Sequence, residues 1–324
     1  MKHNIFITRR IPEAGLALLR EHTDVHVFPH DRQITKDELL SSIRDSDGLL
    51  CLLGDTIDAD VIAAAPKLRC ISSFAVGYDN IDIQTATKHG ITVTNTPGVL
   101  TEATADIAFA LMIAAARRIV ESDAWLRQGH FEGWAPMLFL GLDLHRRTLG
   151  IIGAGRIGQA LARKAVGAFE MKLLYFGRRR DEDFERRLHA RFVDLDTLMR
   201  ESDVVSLHVP LAQETRHMIG ARELALMKRE AILVNTARGA VVDETALIAA
   251  LREHRIFAAG LDVFENEPDI PNELMALPNT VLLPHIGSAS IETRDRMAVM
   301  AARNLLDVLQ GREAEHRVVP HSTP

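Results

Sequence analysis

The chain of 324 residues has two cysteines, no surplus of positive charge and no apolar run of membrane length, and each absence removes a class of protein. Cys51 and Cys70 both sit in apolar, strand-like runs, so they read as buried thiols of a reducing compartment, not as a disulfide framework. Lysine and arginine number 38 against 44 acidic residues, which leaves a formal charge of −6 and a pI near 6.2. That balance argues against nucleic acid or an anionic membrane as partner. The best apolar stretch, Ile107 to Ala116, is too short to span a bilayer and ends at Arg117-Arg118. The start, MKHNIFITRR, carries no adequate apolar region or cleavage site for secretion. There is no solenoid-period repeat and no low-complexity tract. A cytoplasmic protein is expected, long enough for two domains with cores of their own.

What is present is organised around Arg147 to Arg180, which reads as strand, glycine turn, helix, strand. Leu149, Ile151 and Ile152 form the first strand, and Gly153, Gly155 and Gly158 follow in G-x-G-x-x-G spacing. Ile157, Leu161 and Ala165 recur at helical intervals, and Met171 to Phe176 is a second apolar strand. The first glycine permits a sharp turn, the second a close approach of backbone to a pyrophosphate, the third the packing of helix on strand. The helix N-terminus then offers free N–H groups and partial positive charge to a phosphate. A tight βα turn without a ligand is the bland alternative, and the flanking strands and helix favour a dinucleotide. An acidic residue is expected about twenty residues on, to bond the ribose 2′-hydroxyl of NAD. Gly177 holds that place, followed by Arg178, Arg179 and Arg180. Arginine forks suit a 2′-phosphate, so NADPH is preferred and NADH remains possible. A solvated basic turn, balanced by Asp181, Glu182 and Asp183, is the plainer reading of the same residues.

Elsewhere strands and helices alternate. Ile5 to Ile7, Val25 to Phe28, Leu49 to Leu53, Leu68 to Ser73 and Ile91 to Thr94 read as strands, with helices from Pro12 to Arg20 and after Thr35, whose Glu38 completes a capping box. After the Pro97-Gly98 break a long helix is expected from Thr101 to Ser122, then an irregular loop from Trp125 to Leu144. Val204 to Val209, Ile232 to Thr236, Ala258 to Val263 and Val281 to Leu283 are further strands. A helix covers Glu244 to Glu253, and a last one, about Ile291 to Gln310, precedes a polar tail expected to fray. The expected fold is α/β, with two doubly wound parallel-sheet domains of Rossmann-like and flavodoxin-like type.

Three residues at or beyond strand ends carry the chemistry a hydride transfer to a 2-oxo acid requires. Arg238, in NTARG, can hold the carboxylate and polarise the carbonyl through a fork that stays charged. His285, in LLPHIG at the end of the strand beginning at Thr280, can deliver a proton near neutral pH. Glu267, in FENEP, can orient that histidine and favour its charged form. Alone, each reads equally well as a surface arginine, a turn glutamate or a loop histidine. Together on one edge of one sheet they point to a site.

These residues, with AVGYDNIDI, NTPGVLTEATADIAFAL, LGIIGAGRIGQALA, NTARGAVVDETAL, AGLDVFENEP and LLPHIGSA, make nearly the whole chain resemble the D-2-hydroxyacid dehydrogenase family, most closely its glyoxylate/hydroxypyruvate reductases. The resemblance implies that Arg238, Glu267 and His285 are catalytic, with His285 as acid/base. It implies that Val76 and Gly77 hold the substrate carboxylate through backbone N–H groups, alongside Arg238 and His285. Gly153, Gly155, Arg156, Ile157 and Gly158 match the diphosphate turn and Thr104 a position beside the phosphates. Asp262 matches a place near the nicotinamide amide, or it caps a loop; Arg178, Arg179, His208, Pro210, Thr236, Ala237, His285 and Gly287 complete the implied cofactor site. Trp134 matches a tryptophan that reaches the neighbouring subunit's substrate site, local packing being the alternative. The implied architecture is a discontinuous substrate domain, 1–99 and 287–324, and a nicotinamide-dinucleotide domain, 100–286, with the active site in the cleft between them. The implied partners are a small 2-oxo acid and a second copy of the chain, with no metal, nucleic acid or membrane. A 2-ketoaldonate (2-ketogluconate) reductase is the close alternative, and a dinucleotide-sensing corepressor the distant one.

Overall fold

Short apolar strands alternating with helices bury their strands when the strands lie parallel and helices cover both faces of the sheet. The chain forms two such sheets. The computed structural model describes residues 2–319. Residues up to Leu100 together with those from Ser288 onward make one unit, and Thr101–Gly287 make the other.

The first unit holds β1 (Asn4–Ile7), β2 (Asp24–Val27), β3 (Gly48–Cys51), β4 (Cys70–Ser73) and β5 (Thr92–Thr94), all parallel, in the order β2-β1-β3-β4-β5. β3 and β4 are buried throughout, which is why their sequences show no alternation, and Cys51 and Cys70 are free, buried thiols on them. Thr35 caps helix Lys36–Ser42 in the capping box the sequence announces. Helices Ala59–Ala64 and Ile83–Lys88 are too short to show an apolar stripe; Asp58 and Asp82 start them by accepting backbone N–H bonds. The C-terminal helix, Ile291–Leu309, packs on this sheet, with Ser72 Oγ donating to the Ala301 carbonyl at 2.9 Å. It meets helix Glu13–His22 at Gly15, where a Cβ would lie 2.7 Å from the Ala298 carbonyl oxygen. The tail expected to fray is instead tied to β5: Val318 N donates to the Val93 carbonyl at 2.8 Å, and Val318 is buried. Residues 320–324 of that tail lie outside the described residues.

The second unit holds β6 (Thr148–Ile152), β7 (Lys172–Phe176), β8 (Arg191–Phe192), β9 (Val204–Leu207), β10 (Ile232–Asn235), β11 (Ala258–Leu261) and β12 (Thr280–Leu282), parallel in the order β12-β11-β10-β9-β6-β7-β8. The chain runs outward from β6 to β8 and then returns to β9 on the other side of β6. That reversal opens a crevice beyond the carboxyl ends of β6 and β9. The helix expected to reach Ser122 is two helices, Thr101–Ala116 and Ile119–Arg127, separated by Arg118 at a left-handed φ of 52°. The returning chain explains the break. Leu142 N donates to the Ala116 carbonyl at 2.8 Å, the acceptor that a continued helix needs. Trp125 is therefore helical, and the irregular segment begins only after Arg127. Among the described residues no helix is long and apolar enough to cross a membrane.

Candidate active site

At the turn from β6 into helix Arg156–Phe169, the three glycines answer to different demands. Gly153 has a left-handed φ of 93°, and a Cβ there would lie 2.8 Å from the His208 carbonyl. A Cβ on Gly158 would lie 2.6 Å from the Gly153 carbonyl oxygen. Gly155 meets nothing within 4 Å. The protein's own packing thus requires the first and third glycines, while the second leaves open space at an exposed turn. The helix has no side-chain cap, so its first N–H groups are available to an anion. At the same edge of the sheet, just past β10, Thr236 Oγ1 is buried without a hydrogen-bond partner. An open glycine, an uncapped helix and an orphaned hydroxyl fit a dinucleotide. Arg156 is exposed in the turn, and Ile157 packs on the core beneath it. His208, beyond β9, shares a 2.9 Å hydrogen bond with Ser206, and burial pushes its imidazole down to about 4, so it is neutral at neutral pH. The Pro210 carbonyl accepts from Thr215.

β7 ends at Phe176, and the four residues that follow, Gly177 to Arg180, include no carboxylate. Arg180 folds back onto Glu185 at 2.6 Å, while Arg178 and Arg179 are exposed and make no ion pair among the described residues. The basic loop is thus a pair of available forks, with the third arginine committed elsewhere.

The catalytic candidates meet at the carboxyl edges of β10, β11 and β12. Asn235, fully buried at the end of β10, accepts from Ala237 N at 3.0 Å and donates to the Arg238 carbonyl at 2.9 Å. That strut shapes the turn presenting Arg238, whose Nη1 also donates to the Ala237 carbonyl at 2.9 Å. At Gly239 a Cβ would lie 1.8 Å from the Phe264 carbonyl carbon, so this turn presses backbone to backbone on the turn carrying Glu267. Phe264 N donates to Glu267 Oε1 at 2.9 Å, and His285 Nδ1 bonds Oε2 at 2.8 Å, leaving Nε2 turned away from the carboxylate. Burial works to raise the Glu267 carboxyl, but the His285 bond and charge, the Phe264 N–H and the Arg238 charge outweigh it and hold it below its usual range. The His285 and Glu267 side chains keep 30 % and 36 % of their surface exposed, which leaves the pair within reach of a substrate.

His285 does not end a strand. It lies three residues beyond β12 with a left-handed φ of 54°, a conformation costing about 1–2 kcal/mol for a residue with a Cβ. Buried Asp262 holds the chain there by accepting from Ile286 N and Gly287 N, both at 2.7 Å. Burial raises its carboxyl against the pull of those two bonds and of His285. A Cβ on Gly287 would lie 3.1 Å from Asp262 Oδ2 and 3.3 Å from Thr104 Cγ2, so Thr104, Asp262 and Gly287 converge.

In the first unit, Val76 and Gly77 follow β4. Asn95 Nδ2 donates to the Val76 carbonyl at 2.8 Å. In a planar trans peptide this fixes the Gly77 N–H in the opposite direction. Trp134 is 85 % exposed and has not packed locally. Four contributors have no role in the sequence reading: Asn235 and Gly239 within NTARG, and Glu265 with His217, whose 2.7 Å contact braces the Phe264–Glu267 turn. Two of them carry a signal. An asparagine at a strand end favours a side-chain-bonded turn, and a glycine directly after Arg238 marks a close backbone approach.

Residues 109–287 match the NAD binding domain of the D-isomer specific 2-hydroxyacid dehydrogenases. The chain is 55 % identical over 313 residues to a glyoxylate reductase of Korarchaeum cryptofilum, covering 96 % of this chain and 94 % of that one. A crystal structure of a glyoxylate reductase from Paecilomyes thermophila superposes with a TM-score of 0.87 at 34 % identity, covering 99 % of each chain. An NADPH-dependent glyoxylate/hydroxypyruvate reductase from Sinorhizobium meliloti, in complex with NADP and malonate, also gives 0.87 at 34 %, covering 98 % of this chain and 97 % of that one.

Proposed function

Because the chain belongs to the D-isomer-specific 2-hydroxyacid dehydrogenase family and is an NAD(P)-dependent oxidoreductase, we propose that it reduces glyoxylate and hydroxypyruvate to their 2-hydroxy acids with NADPH. The observation that carries the chemistry is the 2.8 Å bond between His285 Nδ1 and Glu267, beside the turn that presents Arg238. When bound, the nicotinamide supplies a hydride to C2 of the oxo acid. Arg238 holds the carboxylate and draws electron density toward the carbonyl oxygen. The backbone N–H groups of Val76 and Gly77 take the carboxylate oxygens. His285 Nε2 donates the proton to the carbonyl oxygen, and Glu267, bonded to Nδ1, keeps the ring oriented for that transfer.

Gly153, Gly155, Arg156, Ile157 and Gly158 take the diphosphate. Thr104, His208, Pro210, Thr236, Ala237, Asp262 and Gly287 line the rest of the dinucleotide's path, and Arg178 and Arg179 take the 2′-phosphate, so NADH serves less well. The β1–β5 unit binds substrate and the β6–β12 unit the dinucleotide. The working form is a cytoplasmic homodimer. Of twelve exposed large apolar side chains among the described residues, eight fall between 119 and 140, including Phe131, Trp134 and Met137. Such clustering supports an interface with a second copy, and two-fold dimers are the commonest closed assembly. In that dimer Trp134 reaches the partner subunit's substrate. Similarity to glyoxylate reductases favours these substrates over a 2-ketoaldonate. A panel of 2-oxo acids, followed by the loss of NADPH absorbance, tests the proposal: glyoxylate and hydroxypyruvate should give the highest kcat/KM. Faster turnover of 2-ketogluconate, or none of any 2-oxo acid, would overturn it.

A further inference from the structure

One side chain touches both the glycine turn and the segment that closes the arginine loop. Gln159, in the first turns of helix Arg156–Phe169, donates from Nε2 to the Ala154 carbonyl at 3.0 Å and to Asp181 Oδ2 at 2.9 Å. Its Oε1 accepts from Arg187 at 3.1 Å. The other Asp181 oxygen accepts from Phe184 N at 2.9 Å, and Asp181 N donates to the Tyr175 hydroxyl at 2.8 Å. Tyr175 in turn donates to Glu185 at 2.8 Å, the residue that binds Arg180. At the near end of the loop, the Phe176 carbonyl accepts from Gly153 N at 2.9 Å. The Gly177–Arg180 loop is therefore pinned at both ends to the turn built around Gly153 and Gly155.

Asp181 is the charge that matters here, because it stands two residues after Arg179. Both its oxygens are committed, one to the start of helix Glu182–Leu188 and one to Gln159. Released from Gln159, that second oxygen is free to turn toward the arginines, compete for their forks and oppose an incoming phosphate. We propose that Gln159 is a positioning residue for cofactor choice: it holds Asp181 off the arginine loop and so sets the preference for a 2′-phosphorylated dinucleotide. The proposal rests on the reading that Arg178 and Arg179 face the 2′-phosphate.

Calorimetric titration with two nicotinamide-free probes tests it. Adenosine 2′,5′-bisphosphate carries the 2′-phosphate, and 5′-AMP lacks it. The unmodified protein should bind the bisphosphate more tightly, and Gln159→Leu should weaken that binding about tenfold, the scale of one hydrogen bond to a charged group, while leaving 5′-AMP unchanged. Adding Asp181→Asn to Gln159→Leu should restore most of the loss, since the neutral amide still caps helix Glu182–Leu188 and no longer opposes a phosphate. A purely structural role predicts equal weakening toward both probes and no rescue, and either result overturns the inference. Unchanged bisphosphate binding in Gln159→Leu overturns it as well. If the unmodified protein does not distinguish the two probes, and Arg178→Ala/Arg179→Ala changes nothing, the arginine reading itself fails and the inference falls with it.

Discussion

Replacing Glu267 by glutamine removes the charge beside His285 and leaves the volume. At 2.8 Å two unit charges attract by about 6 kcal/mol at an effective dielectric of 20. About a third of each side chain faces water, so the net value lies nearer that of a charge-assisted hydrogen bond, about 1.5–3 kcal/mol. At 1.36 kcal/mol per factor of ten, the reductive kcat/KM should fall about ten- to a hundredfold. A second loss comes from geometry. Glu267 accepts from two donors, Phe264 N and His285 Nδ1, and an amide offers one oxygen, so one donor must face an NH2 group. Maximal kcat should therefore drop without vanishing. In the unmodified protein Glu267 sits below its usual range, so its carboxylate stabilises the fold fully above about pH 4.3, and that contribution is lost as pH falls through the lowered folded value. The assay is the rate of glyoxylate reduction, with deuterium in the transferred position of NADPH confirming that hydride transfer limits turnover. A kcat/KM for glyoxylate equal in Glu267→Gln and unmodified enzyme would refute the coupling between the two side chains.

Gly155→Ala should leave thermal stability within about 1 kcal/mol, because the new Cβ meets nothing, yet weaken NADPH binding measured by fluorescence titration; equal binding would empty the site of its diphosphate. Arg178→Ala should raise KM for NADPH by a factor matching about 1.5–3 kcal/mol and leave KM for NADH in place, read from paired kinetics. Sedimentation at micromolar concentration should give the mass of two chains, and Trp134→Ala should raise KM for glyoxylate if that side chain serves the partner; a single-chain mass would remove the dimer.

Much of this was legible in the sequence because the informative positions are local. The G-x-G-x-x-G spacing, the Thr35 capping box and the buried strands declare themselves within a few residues. The structure brings Arg238, Glu267 and His285 together in the turns that follow the neighbouring strands β10, β11 and β12, not on the strands themselves. What stayed hidden depends on contacts distant in sequence. The break at Arg118 follows from Leu142 taking the Ala116 carbonyl, and no local pattern announces a partner 26 residues away. The left-handed conformation of His285 is imposed by Asp262, and the tail's attachment to β5 by Val93. Helices Ala59–Ala64 and Ile83–Lys88 were obscured for a different reason: six residues do not complete two turns, so no apolar period emerges.

The central claim is that His285 gives the proton to the carbonyl oxygen of a 2-oxo acid. It is tested most directly by the kcat of His285→Ala with saturating NADPH and glyoxylate, alongside its dissociation constant for NADPH. The account predicts a fall of about 10²–10⁴ in kcat, with NADPH binding little changed. A kcat within a few-fold of the unmodified enzyme, with an unaltered pH profile, would contradict it.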